Sequence, residues 1–152
     1  GKLIVIDFRY NNVNYRLINV HAPNLETQRK RFFENIRKWI THSTILIGDF
    51  NVTLTIIDIS SNCVFSEDPS RNELFKLIRN NDLIDYGDCL TPEKKQYTRK
   101  QTVLGKLKQS RIDLCLMSSS LIPEVSSRLS AAITPSWRWR WDEAPEMGVC
   151  GV

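Results

Sequence analysis

Apolar and polar positions along the chain change period several times, and each change predicts an element. "LIVIDF" and "YRLINV" are β-rich runs, Leu3 to Phe8 and Tyr15 to Val20. Asn11 and Asn12 between them predict a hairpin turn, because asparagine tolerates left-handed backbone. After "HAPN", Phe32, Phe33, Ile36, Trp39 and Ile40 recur at helical spacing. They predict a helix capped by Asn24, with Arg29, Lys30, Arg31, Arg37 and Lys38 on a solvated face. "TILIGDF", Thr44 to Phe50, is a continuous apolar run that predicts a strand buried on both faces.

Ser70 and Glu73 have capping-box spacing and predict a second helix, with Leu74, Phe75 and Ile78 inward and "NN" at its end. "DLIDYGDCLTP" reads as a short strand and loop, "QYTRKQTVLGKLKQ" as a hairpin around Gly105, and Ile112 to Met117 as another buried strand. Strands interleaved with helices, without internal repeats, define an α/β or α+β domain.

Composition adds bounds. A chain of 152 residues is expected to form one domain with one core. Charged and hydrophobic fractions of 25% and 41% argue against disorder and fibres. No apolar run reaches membrane-spanning length, and the first residues lack a signal-peptide pattern. Cys63, Cys89, Cys115 and Cys150 have no zinc-like spacing, so reduced thiols in an intracellular protein are expected. The chain enters a strand at once without an initiating methionine, and so reads as a piece of a longer protein.

The net charge of +4 becomes informative through its distribution. Between Glu93 and Arg111 seven basic residues face one acidic residue: Lys94, Lys95, Arg99, Lys100, Lys106, Lys108 and Arg111. On one surface they would contact nucleic-acid phosphates in a salt-sensitive way; a solvated basic hairpin is the alternative.

"ILIGDFN" ends an apolar strand on Asp49 and Asn51. An aspartate can accept a proton or polarise water, and a carboxamide can donate to a phosphate oxygen without adding negative charge. The same residues are ordinary turn formers. Their order decides more: "LINVHAPN", an aromatic helix, "ILIGDFN", "YT" and "SRID" follow one another. From about Gly1 to Ile122 this series resembles the endonuclease/exonuclease/phosphatase superfamily, and most of all the apurinic-like endonuclease domain of LINE-type non-LTR retrotransposons. "GDFNVTL" lacks the arginine usual in the phosphatase branch.

The resemblance implies a four-layered α/β sandwich, incomplete at both ends, over residues 1–130, followed by an unrelated Trp/Arg-containing tail, residues 131–152. The tail's alternating Trp137, Arg138, Trp139, Arg140 and Trp141 offer a base-stacking surface as the alternative. It further implies a magnesium-dependent phosphodiesterase that nicks DNA. Asp49 would orient or deprotonate the attacking water, Asn51 would hold the scissile phosphate and that aspartate, and Asp113 would orient a histidine in a "SDH" block. His21 stands where the family usually has a phosphate-contacting tyrosine. The chain has no "SDH" block, its histidines being His21 and His42, and Gly1 begins after the family's early metal-binding glutamate. Weak or absent magnesium binding and no catalysis by this fragment of a DNA endonuclease are therefore expected; the alternative is a non-catalytic remnant that binds nucleic acid, with DNA the partner in either case. No small-molecule cofactor or membrane partner is expected, the place of action is intracellular and nuclear, and the sequence says nothing about oligomeric state.

Overall fold

Two asparagines with left-handed backbone open the architecture: Asn11 and Asn12 have φ of 48° and 63°, as a two-residue hairpin turn requires. They join β1 (Lys2–Tyr10) to β2 (Val13–His21). In the computed structural model, which describes residues 1–90 and 96–125, the chain continues through α1 (Glu26–Ile36), β3 (Thr44–Asp49), α2 (Pro69–Asn80), β4 (Leu83–Asp85), α3 (Tyr86–Leu90), β5 (Arg99–Val103), β6 (Lys106–Ser110) and β7 (Asp113–Ser118). Gly1–Ile122 form one compact unit; of the second, Pro123–Val152, only residues 123–125 are described. The Trp/Arg tail thus lies outside the described residues, as do Lys94 and Lys95.

Five strands form one mixed sheet in the order β1-β2-β3-β7-β4, and β5-β6 form a separate hairpin. β2 and β3 run parallel, with α1 in the crossover between them, while β3-β7 and β7-β4 are antiparallel. Register places Val5, Ile18, Leu46 and Leu116 in one row. That face packs against Phe33 and Ile36 of α1 and Leu74 and Leu77 of α2. Each fully buried side chain among these, such as Leu46 or Phe33, contributes about 1.5–3 kcal/mol by leaving water.

The two helices are fastened by charge as well as by packing. Arg29 is buried, not solvated as its position in the sequence suggests. Its Nε donates to Ser70 Oγ at 2.7 Å and its Nη2 to Asp68 Oδ2 at 2.6 Å. Nη1 reaches the carbonyls of Pro23 and Asn24. Asn24 therefore accepts through its backbone, and α1 begins after Leu25 without a side-chain cap. The cap of α2 also differs from expectation. Asp68 accepts from the Ser70 backbone N–H at 2.9 Å, and Pro69 occupies the first turn, where its missing N–H costs nothing. Burial works against the Asp68 charge, but the Ser70 hydrogen bonds and the Arg29 charge together hold this carboxyl below its usual range.

The opposite face of the sheet is only partly covered by described residues. Ile4, Ile6 and Phe8 stand exposed on β1, and Ile45 and Ile47 of β3 are half-buried. Among the described residues β3 is enclosed on one face, where its apolar run suggests both. "YGDCL" forms the short helix α3 where the sequence suggests a loop. No helix among the described residues is long and apolar enough to cross a membrane.

Candidate active site

β2, β3 and β7 end one row of residues at the same edge of the sheet. His21 is in register with Asp49, and Asp49 with Asp113. By strand alternation the row lies on the face away from α1 and α2. A parallel pair next to an antiparallel pair makes this possible: the last residues of β2 and β3 meet the first residue of β7. His21 Nε2 lies 3.9 Å from Asp49 Oδ2, with side-chain exposures of 59% and 31%. Asp113 is exposed at the same edge.

Gly48 sets how closely β2 and β3 approach here. Its φ is +129°, and an added Cβ would come within 2.0 Å of the Val20 carbonyl oxygen. Glycine alone fits both the backbone and the space. Beyond it the chain turns back: the Asn51 N–H donates to Asp49 Oδ1 at 2.8 Å, with Asn51 at φ 51°. Asn51 Nδ2 donates to the Ala22 carbonyl at 2.7 Å, and the Ala22 N–H to the Asp49 carbonyl at 2.8 Å. Asn51 thus restrains Asp49 through its backbone rather than its carboxamide. That carboxamide keeps one N–H and its oxygen for a ligand.

Thr98 is a contributor that sequence reading passed over, and its one signal is the "YT" before β5. Its Oγ1 accepts from the Ile112 and Asp113 N–H groups at 3.1 and 3.2 Å, fixing the first turn of β7. Tyr97 donates to the Ile59 carbonyl at 3.3 Å.

Arg111 leaves the basic surface proposed from sequence. It is buried, and it does not pair Asp113. Nε, Nη1 and Nη2 contact Asp58, Asp85 and Asp88 at 2.7, 2.8 and 3.0 Å. Burial opposes its charge, but Asp58 and Asp85 outweigh burial and make the guanidinium more basic than usual. Burial also pushes the Asp85 carboxyl up; Arg111 opposes this, while the Asp88 charge adds to it. The two directions agree once the sharing is counted, since three carboxylates divide one guanidinium. Arg99, Lys100 and Lys106 stand exposed on the β5-β6 hairpin, with Lys108 half-buried.

Among the described residues no three or more His, Cys, Asp and Glu side chains converge as a metal site. Asp49 and Asp113 offer two carboxylates, and Asp49 already accepts from Asn51. That donor set falls short of the oxygen shell magnesium takes. A cavity of about 520 Å³ opens among Phe8, Tyr15, Arg16 and His42; none of His21, Asp49, Asn51 and Asp113 lines it.

No family model matches the chain. Solved structures share its fold. The endonuclease domain of TRAS1, a telomere-specific non-LTR retrotransposon, aligns with TM-score 0.55 and 18% identity over 80% of this chain and 52% of that one. An AP endonuclease from Archaeoglobus fulgidus aligns with TM-score 0.59 and 19% identity, over 78% and 54%. The chain has the endonuclease/exonuclease/phosphatase fold.

The 3′ phosphatase NExo from Neisseria, solved bound to a product DNA hairpin, shares this fold at TM-score 0.59 and 21% identity, over 78% and 53%. In sequence, the chain is similar to a Xenopus laevis protein described as "Transposon TX1 uncharacterized 149 kDa protein", 33% identical over 132 residues. That match covers 84% of this chain and 10% of the Xenopus protein. The chain thus spans about half the length of the solved endonuclease/exonuclease/phosphatase chains it matches.

Proposed function

We propose that this chain is the phosphate-positioning part of a retrotransposon-type DNA endonuclease, one that binds DNA but does not cut it unaided. The observation that carries this reading is the single row of His21, Asp49 and Asp113 at one sheet edge, with Asn51 folded back against it. Similarity to the transposon protein and to the TRAS1 endonuclease domain supports DNA as the substrate class.

In this reading Asp49 accepts a proton from water or polarises it, held in place by the Asn51 N–H. The free amide hydrogen of Asn51 and the His21 imidazole donate to phosphate oxygens, stabilising negative charge without competing for the proton. Asp113 adds a carboxylate that can orient a histidine. These 152 residues contain His21 and His42 but no Ser-Asp-His sequence. Magnesium dependence belongs to the activity of the larger enzyme, and the two carboxylates at this edge do not supply a full magnesium site. Exposed Arg99, Lys100 and Lys106, with Lys94 and Lys95 near them in sequence, would lie along the DNA backbone. The reading carries an intracellular, nuclear place of action with it.

Fluorescence anisotropy with a labelled duplex tests it. Salt-sensitive binding that weakens in Asn51→Ala and in Lys100→Gln/Lys106→Gln is expected. Unchanged affinity in all these variants would contradict both the edge and the hairpin as DNA contacts.

A further inference from the structure

The buried Arg111 guanidinium contacts three carboxylates. Two segments remote in sequence end on its guanidinium: the turn after β3 through Asp58, and the β4-α3 junction through Asp85 and Asp88. Its own N–H donates to the Asp58 carbonyl at 2.8 Å. Asp58 in turn accepts from the Thr55 N–H and hydroxyl through its other carboxylate oxygen. Gly87 lies against this cluster, and a Cβ there would come within 3.3 Å of Asp85 Oδ1 and 3.6 Å of Arg111 Nη1.

The cluster adjoins the candidate site on both sides. Residue 112, next in sequence, accepts the Phe50 N–H through its carbonyl at 2.8 Å. Residue 113 is the aspartate paired with Asp49. Both strands of the site edge thus leave the sheet toward one arginine, β3 through the segment ending at Asp58 and β7 directly.

We propose that Arg111 is the positioning residue of this edge: by gripping Asp58, Asp85 and Asp88 it fixes where Asp113 stands relative to Asp49 and Asn51. The inference concerns geometry and rests on the functional reading only for what the edge binds. A planar fork with separately directed N–H groups is required, because three carboxylates from two segments meet three different nitrogens; an ammonium is a point charge and cannot keep all three. The balance of charge fits a shared grip: three carboxylates around one guanidinium leave a negative surplus, and burial raises the Asp85 carboxyl despite Arg111.

Amide hydrogen exchange by NMR distinguishes positioning from general stability, since local opening and global unfolding report on different amides. Wild type, Arg111→Lys and Arg111→Met are compared at the Phe50, Asn51, Ile112 and Asp113 amides, with Ile18 and Leu46 as core references. Exchange at the four edge amides is expected to accelerate about tenfold or more relative to the references in Arg111→Met, and less in Arg111→Lys. Equal acceleration at all six would reduce Arg111 to a stabilising residue and overturn the proposal, as would no change. Should Arg111→Met not fold, the same comparison in Arg111→Lys and Asp58→Asn decides. DNA does not enter the measurement, so its outcome is separate from that of the functional reading; loss of DNA binding with unchanged exchange would count against the proposal alone.

Discussion

Arg29 of α1 and Asp68 at the start of α2, thirty-nine residues apart, meet at 2.6 Å with side-chain exposures of 6% and 14%. This ion pair joins the layer of helices that covers the core. Removing one partner of a buried pair leaves the other charge uncompensated, at a cost of about 3–5 kcal/mol. Arg29→Met is therefore expected to lower the urea midpoint sharply, and a loss below about 1 kcal/mol, the range of surface pairs, would show the pair to be solvated.

Acid should act on the two carboxylate clusters in opposite directions. Asp68 is held below its ordinary value, so its contribution is present above the unfolded pKa of about 3.8 and is lost as pH falls through the folded value. Asp85 is raised, so its contribution is greatest below the unfolded pKa and is lost as pH rises through the folded value. In thermal melts across pH, the deficit of Asp68→Asn relative to wild type should shrink toward strong acid. The deficit of Asp85→Asn should shrink as pH rises instead. Parallel pH profiles for the two variants would contradict the assignment.

Gly48 should be irreplaceable. Alanine there combines a backbone at φ +129° with a Cβ 2.0 Å from the Val20 carbonyl, which together cost about 3 kcal/mol or more. Gly105, at φ +72° with open space around it, is the control: Gly105→Ala meets the backbone penalty alone, about 1 kcal/mol. Equal destabilisation of the two variants would mean that the β2-β3 approach is looser than 2.0 Å implies.

Much of this was legible in the sequence, and the gaps have physical causes. The Asn11-Asn12 hairpin, the β5-β6 hairpin around Gly105 and the strands carrying Asp49 and Asp113 follow from turn chemistry and apolar runs, which are local signals. Arg29 and Arg111 are buried where the sequence suggests exposure, because a basic residue on a helix or near a hairpin reads as solvated until its partners are known. Those partners, Asp68 and Asp58, lie 39 and 53 residues away. The capping of α2 moved from Ser70 to Asp68 because Pro69 takes the first turn. The alignment of His21, Asp49 and Asp113 depends on strand register, which no single segment encodes.

The hairpin's part in DNA binding is measurable through salt. Replacing Arg99, Lys100 and Lys106 by glutamine should reduce the slope of log affinity against log salt by up to about 2.7, roughly 0.9 for each phosphate no longer neutralised. An unchanged slope would show that these exposed side chains face solvent in the complex.

In the proposed function the Asp49 edge holds phosphate yet does not cut by itself. Supercoiled-plasmid nicking by the purified, folded chain tests it most directly, with magnesium, beside EDTA and Asp49→Ala. The plasmid is expected to stay supercoiled in every reaction. Nicking that needs magnesium and disappears in Asp49→Ala would contradict it, and would mean that these residues complete a catalytic site on their own.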